Sequence, residues 1–301
     1  MADNGKPLVS IGMPVYNGER SIREALDSLL AQDYDNFELI ISDNASTDAT
    51  AVICREYLSK DKRIFYFRND CKVGQMANFR LVLDRARGAY FMWAAVDDRW
   101  LPGFVNALAA ELDSHPGVGV AMCAIDRVRE DATLLDHIRY TDMADAKRMK
   151  FLTQAMALAA GKPHHLYFYG LFRTNFIKNA FERFPMVAMG DRLFVCELAL
   201  ATDFGYVDQM LHTRTVHDRP MTERYAAEEI GRVWMDRLAY VKLVFAVGPY
   251  LLASQVIPWR RRWFIPLVVL RFAWSHRKRI RRTIWGWIFP TLQRPRRRKV
   301  R

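Results

Sequence analysis

Ala89-Tyr90-Phe91-Met92-Trp93-Ala94-Ala95-Val96-Asp97-Asp98-Arg99-Trp100 joins an apolar, β-compatible run to two adjacent carboxylates. A parallel strand buried on both faces reads as a continuous hydrophobic run, and open α/β sheets bind ligands beyond the carboxyl ends of their strands. Asp97 and Asp98 therefore fall where a divalent cation and an anionic substrate can meet. Hard cations such as Mg²⁺ and Mn²⁺ take oxygen ligands, commonly one or two carboxylates completed by substrate phosphates. An Asp pair can equally turn the chain or cap a helix before Leu101-Pro102, so the decision falls to the neighbouring sequence.

Upstream, the same unit repeats. Residues 8–14 form a short apolar strand that breaks into Val15-Tyr16-Asn17-Gly18 ahead of a helical pattern over 21–30. Residues 37–41 are a second strand, followed by Ser42-Asp43-Asn44-Ala45-Ser46-Thr47-Asp48 and a helix over about 49–58. A third strand at 63–67 precedes a helix over 74–86, which leads to the strand that runs to Asp97. Strands alternating with helices imply right-handed βαβ units and a parallel sheet, with the polar loops together on one edge.

These residues resemble the family 2 glycosyltransferases of GT-A fold over about residues 8–222. Members typically open with Ser-Ile/Val-x-x-Pro-x-Tyr-Asn, seen here as Ser10-Ile-Gly-Met-Pro14-Val-Tyr16-Asn17. A pattern like Asp-Asp-Gly-Ser-Thr-Asp appears as Asp43-Asn44-Ala45-Ser46-Thr47-Asp48, which also reads as a helix-capping loop. The family's Asp-x-Asp-Asp becomes Ala95-Val96-Asp97-Asp98, so the first carboxylate is missing. The resemblance implies an α/β, Rossmann-like, mostly parallel central sheet with flanking helices, and an inverting transfer of sugar from a nucleotide-sugar donor to a hydroxyl acceptor. Residues 1–100 would form the donor half and 101–222 the acceptor half.

The resemblance also implies roles for residues. Pro14, Tyr16, Asn17 and Asp43 would line the nucleotide pocket, Asp43 facing the base. Asn69, Gly74 and Asn78 would face the donor. Of Asp97 and Asp98, one would reach the ribose and the other hold Mn²⁺ or Mg²⁺, with Asp98 expected as the metal ligand and weaker metal affinity for want of a carboxylate at Ala95. Leu166-Tyr-Phe-Tyr-Gly170-Leu-Phe-Arg173 resembles a Tyr-Gly-Leu-Phe-Arg segment, and Met189-Gly190-Asp191 resembles the motif that opens a helix under the acceptor site. Asp191 is then the expected general base, although a carboxylate at a helix N-terminus also stabilises the helix by roughly 0.3–1 kcal/mol. After a further short strand over 204–211, Arg214 and His217 resemble an Arg-x-His near the donor diphosphate, spaced by one residue more than usual. Guanidinium suits phosphate, and His217 could add a cation ligand or be structural.

The last quarter of the chain differs in composition. Of its 301 residues, the stretch 237–301 holds 17 Lys and Arg and no Asp or Glu, so the net charge of +12 and the basic character reside there. Five of eight tryptophans lie in it: Trp259, Trp263, Trp274, Trp285 and Trp287. Tryptophan and cations bracketing the apolar stretches 243–257 and 263–270 suit an interfacial segment, and both fall short of the roughly 20 residues a spanning helix needs. The expectation is a helical, membrane-associating region over 223–301 that meets anionic lipid through 237–301. Packing or oligomerisation through 243–257 competes with it, as does a nucleic-acid patch at 294–301, which no recognised motif accompanies. Four cysteines without Cys-x-x-Cys spacing fit a reducing cytosol, and Met1-Ala-Asp-Asn-Gly-Lys6 has no apolar signal stretch. Together these predict the cytoplasmic face of the cell membrane, with a polyprenyl-linked or surface-polysaccharide acceptor. The alternatives are a nucleotidyltransferase, for which 13–20 offers a single Gly18, and a catalytically inactive membrane-bound scaffold, which Ala95 keeps open.

Overall fold

In the computed structural model, residues 5–140, 150–161, 163–187, 189–218 and 239–288 are described. Strands β1 (Val9–Val15), β2 (Phe37–Asp43), β3 (Ile64–Arg68) and β4 (Tyr90–Trp93) pair in parallel in the order β3-β2-β1-β4. In register, Ile11 sits between Leu39 and Met92. Every residue of β2 and β4 is buried, as the continuous apolar runs require of strands covered on both faces. Alternation then sorts the side chains: Leu39, Ile41, Tyr90 and Met92 face one layer, Ile40, Phe91 and Trp93 the other.

Helices α1 (Ile22–Leu30), α2 (Thr50–Lys60) and α4 (Phe104–Ser114) pack on the first face, and α3 (Gln75–Arg85) on the second. The spacing Ile22, Ala25, Leu26, Leu29 explains α1, since it places one apolar stripe on the sheet. Gly12 lets α3 approach β1: a Cβ there would stand 2.8 Å from Val82 Cγ2 and 2.9 Å from the Phe91 ring.

Beyond β4 the sheet turns antiparallel and then parallel again. It continues through β8 (Leu171–Arg173), β6 (Val118–Arg129), β9 (Asp203–Val216) and the two-residue β5 (Arg99–Trp100), with β7 (Leu134–Ile138) paired to β6. Among the described residues this makes one nine-stranded mixed sheet. The α/β sheet with flanking helices expected from the sequence is present, its parallel half lying at the N-terminus.

Two boundaries differ from expectation. The strand expected to run to Asp97 stops at Trp93: Ala94 N–H makes the last ladder bond, to Gly12 O, and the chain then turns through Ala95–Asp98, closed by Asp98 N–H on Ala95 O. The short strand expected at 204–211 is the 14-residue β9, whose long partner β6 carries it on through His212 to Val216.

The second face is completed by α5 (Lys150–Ala159), the 3₁₀ turn Pro163–Tyr169, α6 (Thr174–Phe181), α7 (Gly190–Ala201) and the C-terminal α8 (Ala239–Leu252), α9 (Trp259–Arg262) and α10 (Ile265–Ile288). Leu243, Val247, Leu251, Ile265, Val268 and Phe272 join the same core cluster as Trp93 and Phe168. Polar ties reinforce the seam: Tyr250 donates to the buried Glu197, whose carboxyl burial pushes up, and Ser275 Oγ donates to Ala159 O at 2.6 Å. The expected domain boundary at 222/223 and the basic end 294–301 lie outside the described residues, as do the side chains of Trp285 and Trp287.

Candidate active site

A cleft of about 1340 Å³ opens at the carboxyl edge of the parallel strands. Its near wall is the β1–α1 loop, where Pro14, Tyr16, Asn17 and Gly18 line the space. Asn17 adopts a left-handed conformation (φ +50°), which Asn tolerates better than most residues. Its backbone N–H donates to Ser46 Oγ at 2.9 Å, its Oδ1 accepts from Thr47 N–H at 2.8 Å, and Gly18 N–H donates to Thr50 Oγ1 at 2.8 Å. The two motif loops are thus stapled together, and Lys72 Nζ rests 3.6 Å above the Tyr16 ring. Asn44 and Asn78 also line the cleft. Asn78 is held by Ser42, which donates to its Oδ1 at 2.6 Å, and by Asn69, which donates at 3.2 Å. Gly74 serves as the residue before α3 and, like Asn69, stands behind the lining.

Pairing of β5 with β9 builds the opposite wall. Trp100 opposes His212 and their rings stack at 5.5 Å, which draws the Asp97-Asp98 turn against Arg214, Thr215 and His217. Asp98 points inward: its carboxylate accepts from His212 Nε2 at 3.0 Å and from Thr215 N–H at 3.1 Å, with Arg214 Nη1 at 3.9 Å. Asp97 faces the cleft and binds His217 Nε2, while His217 Nδ1 lies 2.5 Å from Glu130 Oε1. Burial opposes charge on Asp97, but the His217 hydrogen bond and the charges of His217 and Arg214 hold it below the ordinary carboxylate range. Burial likewise opposes the charge on Arg214, and Asp98, Tyr169 and Asp97 overcome it and raise its pKa. Arg214 Nη1 is buried without a hydrogen-bond partner among the described residues, a donor suited to an anion.

These positions test the fit of a divalent cation. Among the described residues no cluster of three or more His, Cys, Asp or Glu is arranged to hold one. Asp97 and His217 provide two convergent ligand groups, which suits Mg²⁺ or Mn²⁺ when substrate phosphate oxygens complete the shell. Glu130, accepting a hydrogen bond from Nδ1–H, would leave Nε2 to a cation once the proton that Nε2 shares with Asp97 is displaced. Asp98, expected as the metal ligand, lines the cleft and has one oxygen bonded to His212 and the other to Thr215 of β9.

A second cavity of about 270 Å³ adjoins the cleft, and Gln75, Phe79, His165, Tyr169 and Arg214 line both. Asp191 lines this side cavity at the first turn of α7, beside the apolar walls of Met76, Phe168, Phe184 and Met186. The preceding Met189 is left-handed (φ +61°), an uncommon conformation that sets where α7 begins and where Asp191 projects.

Asp43 departs from its expected role. Its buried carboxylate accepts from Ser46 N–H at 2.8 Å and from Tyr66 Oη at 2.9 Å, with Arg68 at 3.8 Å, and it does not line the cleft. Its oxygens tie the loop to itself and to β3, and the adjacent Asn44 supplies the lining. Arg20, Arg127, Glu130 and His165 were not singled out from the sequence, whereas Tyr169 is the tyrosine of the Tyr-Gly-Leu-Phe-Arg segment. Arg127 and Glu130 had a readable signal, because 118–125 is an unbroken apolar run ending in charge, the same signature as 90–98.

Carboxylate, imidazole and guanidinium converge beyond parallel strands, chemistry suited to an anionic, phosphate-bearing ligand. Residues 10–181 match Glycosyl transferase family 2, and the chain belongs to that family. It is 40% identical over 100 residues to an uncharacterized glycosyltransferase of Rickettsia typhi, covering 33% of this chain and 30% of that one. It is 35% identical over 127 residues to the putative glycosyltransferase EpsE of Bacillus subtilis, covering 41% and 46%. The chain spans about a third to a half of the length of the curated relatives it matches. The fold is similar to that of S. aureus TarS 1-349 in complex with UDP-GlcNAc, with a TM-score of 0.67 at 18% identity, over 93% of this chain and 75% of that one. The mannosyltransferase PcManGT of Pyrobaculum calidifontis, in complex with GDP-Man and Mn²⁺, aligns with a TM-score of 0.52 at 17% identity, over 95% and 82%. These likenesses establish the GT-A fold.

Proposed function

We propose that the chain is an inverting glycosyltransferase that moves a sugar from a nucleotide-sugar to an acceptor hydroxyl. The observation that carries this reading is the shared wall between the two cavities. Arg214 stands at their junction, with Asp97 and His217 on the cleft side and Asp191 on the other. The nucleotide lies against Pro14, Tyr16, Asn17, Asn44 and Asn78, and its diphosphate meets Arg214. The acceptor hydroxyl oxygen attacks the anomeric carbon, Asp191 takes the hydroxyl proton, and the bond to the diphosphate breaks with its electron pair leaving on phosphate oxygen. Arg214 stabilises that charge as it develops. Asp97 and His217 would hold Mg²⁺ or Mn²⁺, which when bound supplies Lewis-acid stabilisation of the same diphosphate. Asp98 fixes the position of β9, and hence of Arg214.

The apolar lining of the side cavity supports an acceptor with an apolar portion, as in a polyprenyl-linked glycan of surface-polysaccharide synthesis. Asp191→Asn separates the roles. Transfer should fall by at least about a hundredfold, within the range attributed to general bases, while donor affinity stays within about twofold. Near-full turnover of the variant would remove Asp191 from the reaction. Donor binding by the wild-type protein with no transfer to any acceptor would favour the inactive scaffold that Ala95 keeps open.

A further inference from the structure

The C-terminal helices have two apolar faces, of which the core uses one. On α10 the buried positions Ile265, Val268, Phe272 and His276 face the domain. Leu267, Leu270 and Trp274 follow at intervals of three and four, which at 3.6 residues per turn aligns them in one stripe on the opposite side, and Trp263 lies in the turn just before α10. Stripe and turn are left in solvent: Trp263 is 79% exposed, Leu270 66% and Trp274 60%. Phe245 on α8, 77% exposed, adds to the apolar surface of this helical unit. The helices are fixed to the body, since Arg183 donates to Ala253 O and Arg261 Nη2 lies 3.4 Å from Asp203.

Charge decides what covers the stripe. Arg260, Arg271, Arg277 and Lys278 are exposed on the same helices, and no Asp or Glu occurs from residue 237 onward. The Arg277 guanidinium stands 4.1 Å over the Trp274 ring. A second copy docked on this face would oppose these cations to their own counterparts. A nucleic acid would satisfy the cations and leave Leu267 and Leu270 wet. An anionic bilayer surface satisfies both sets, with indoles and leucines below the headgroups and cations among the phosphates.

We propose that the Leu267–Leu270–Trp274 stripe of α10, with Trp263 in the turn before it, is a docking face for an anionic lipid bilayer, with the helix lying in the plane of the interface. Among the described residues no helix is long and apolar enough to cross a membrane. The stripe accordingly enters only the outer boundary of the acyl region, and the catalytic cleft is carried on the surface in a fixed orientation.

The test is co-sedimentation of the full-length protein with vesicles of phosphatidylcholine alone or mixed with phosphatidylglycerol. Wild-type protein should bind the anionic vesicles at least about tenfold more strongly than the neutral ones. The double variant Leu267→Glu/Leu270→Glu, both exposed, should lose at least about tenfold of that affinity with an unchanged melting temperature. Trp263→Ala/Trp274→Ala should weaken it in the same direction. Absence of wild-type binding overturns the proposal. So does full binding by both double variants with loss only on removal of residues 294–301, which would assign attachment to the basic end alone. Equal competition by RNA, insensitive to the leucine variants, would overturn it in favour of a polyanion site.

Discussion

Ala45 is a left-handed residue with a Cβ (φ +58°), at the position where the motif it resembles carries glycine. L-residues other than glycine pay about 1–2 kcal/mol there, partly offset by glycine's larger unfolded-state entropy. Ala45→Gly should therefore stabilise the protein by about 0.5–1 kcal/mol in urea melts, and a loss of stability would show that the methyl group packs favourably. Glu38 poses the opposite problem, a carboxylate buried in the parallel sheet. Burial raises its pKa, but donation from Ser10 Oγ at 2.6 Å and from Arg87 Nε and Nη2 at 2.8 and 2.6 Å outweighs this and holds it below the usual range. A depressed folded pKa means that the stability it contributes is present above the unfolded value, about 4.3, and is lost as pH falls through the folded value. Glu38→Gln should cost about 1–3 kcal/mol at pH 7, less than a fully buried pair because Arg87 is solvated, and should flatten the acid limb of the stability profile. A variant that keeps the wild-type acid limb would show that Glu38 is not a source of that dependence.

At the scale of elements, the contact of α3 with β1 depends on the absence of one methyl group. Gly12→Ala would place a Cβ 2.8 Å from Val82 Cγ2, so α3 must shift outward, carrying Asn78 with it. About 1–3 kcal/mol of destabilisation is expected, and with it weaker nucleotide binding, since Asn78 lines the cleft. Calorimetry and nucleotide titration together check this, and a fully stable variant with unaltered binding would mean that the core has room the structure does not show. The first three βα units were legible in the sequence to within two or three residues, because each is a local period: apolar run, polar loop, amphipathic stripe. The short β5 was not. Arg99-Trp100 has no periodicity of its own and becomes a strand only because β9 offers it a partner at Thr213 and His212. β6 could have been read, and its apolar run 118–125 is the missed counterpart of the stretch ending at Asp97.

For the molecule as a whole, ligand binding is the most direct check on the site. A ligand at a hundredfold its dissociation constant adds roughly 2.7 kcal/mol to stability, so a thermal-shift screen of UDP-, GDP-, dTDP- and CMP-linked sugars, each with and without Mn²⁺ or Mg²⁺, should reveal one responsive nucleotide class. The metal-dependent part of that shift should vanish in Asp97→Ala and in His217→Ala, and a shift that survives both would place the cation elsewhere. Asp98→Ala should lower the melting temperature of the unliganded protein, since it leaves the buried His212 unpaired. By itself the sequence determined the parallel α/β half, the loops that carry Pro14, Tyr16 and Asn17, and the confinement of basic charge and tryptophan to the last quarter. All of these are written in neighbouring residues. Tertiary structure alone decided that Asp97 meets His217 across 120 residues, that Asp98 turns inward to His212, that Asp43 is held by its own loop and by Tyr66 of β3, and that Asp191 and Arg214 share a cavity wall. The direction in which a side chain points is set by which strand pairs with which, and that pairing is fixed by burial of the whole sheet.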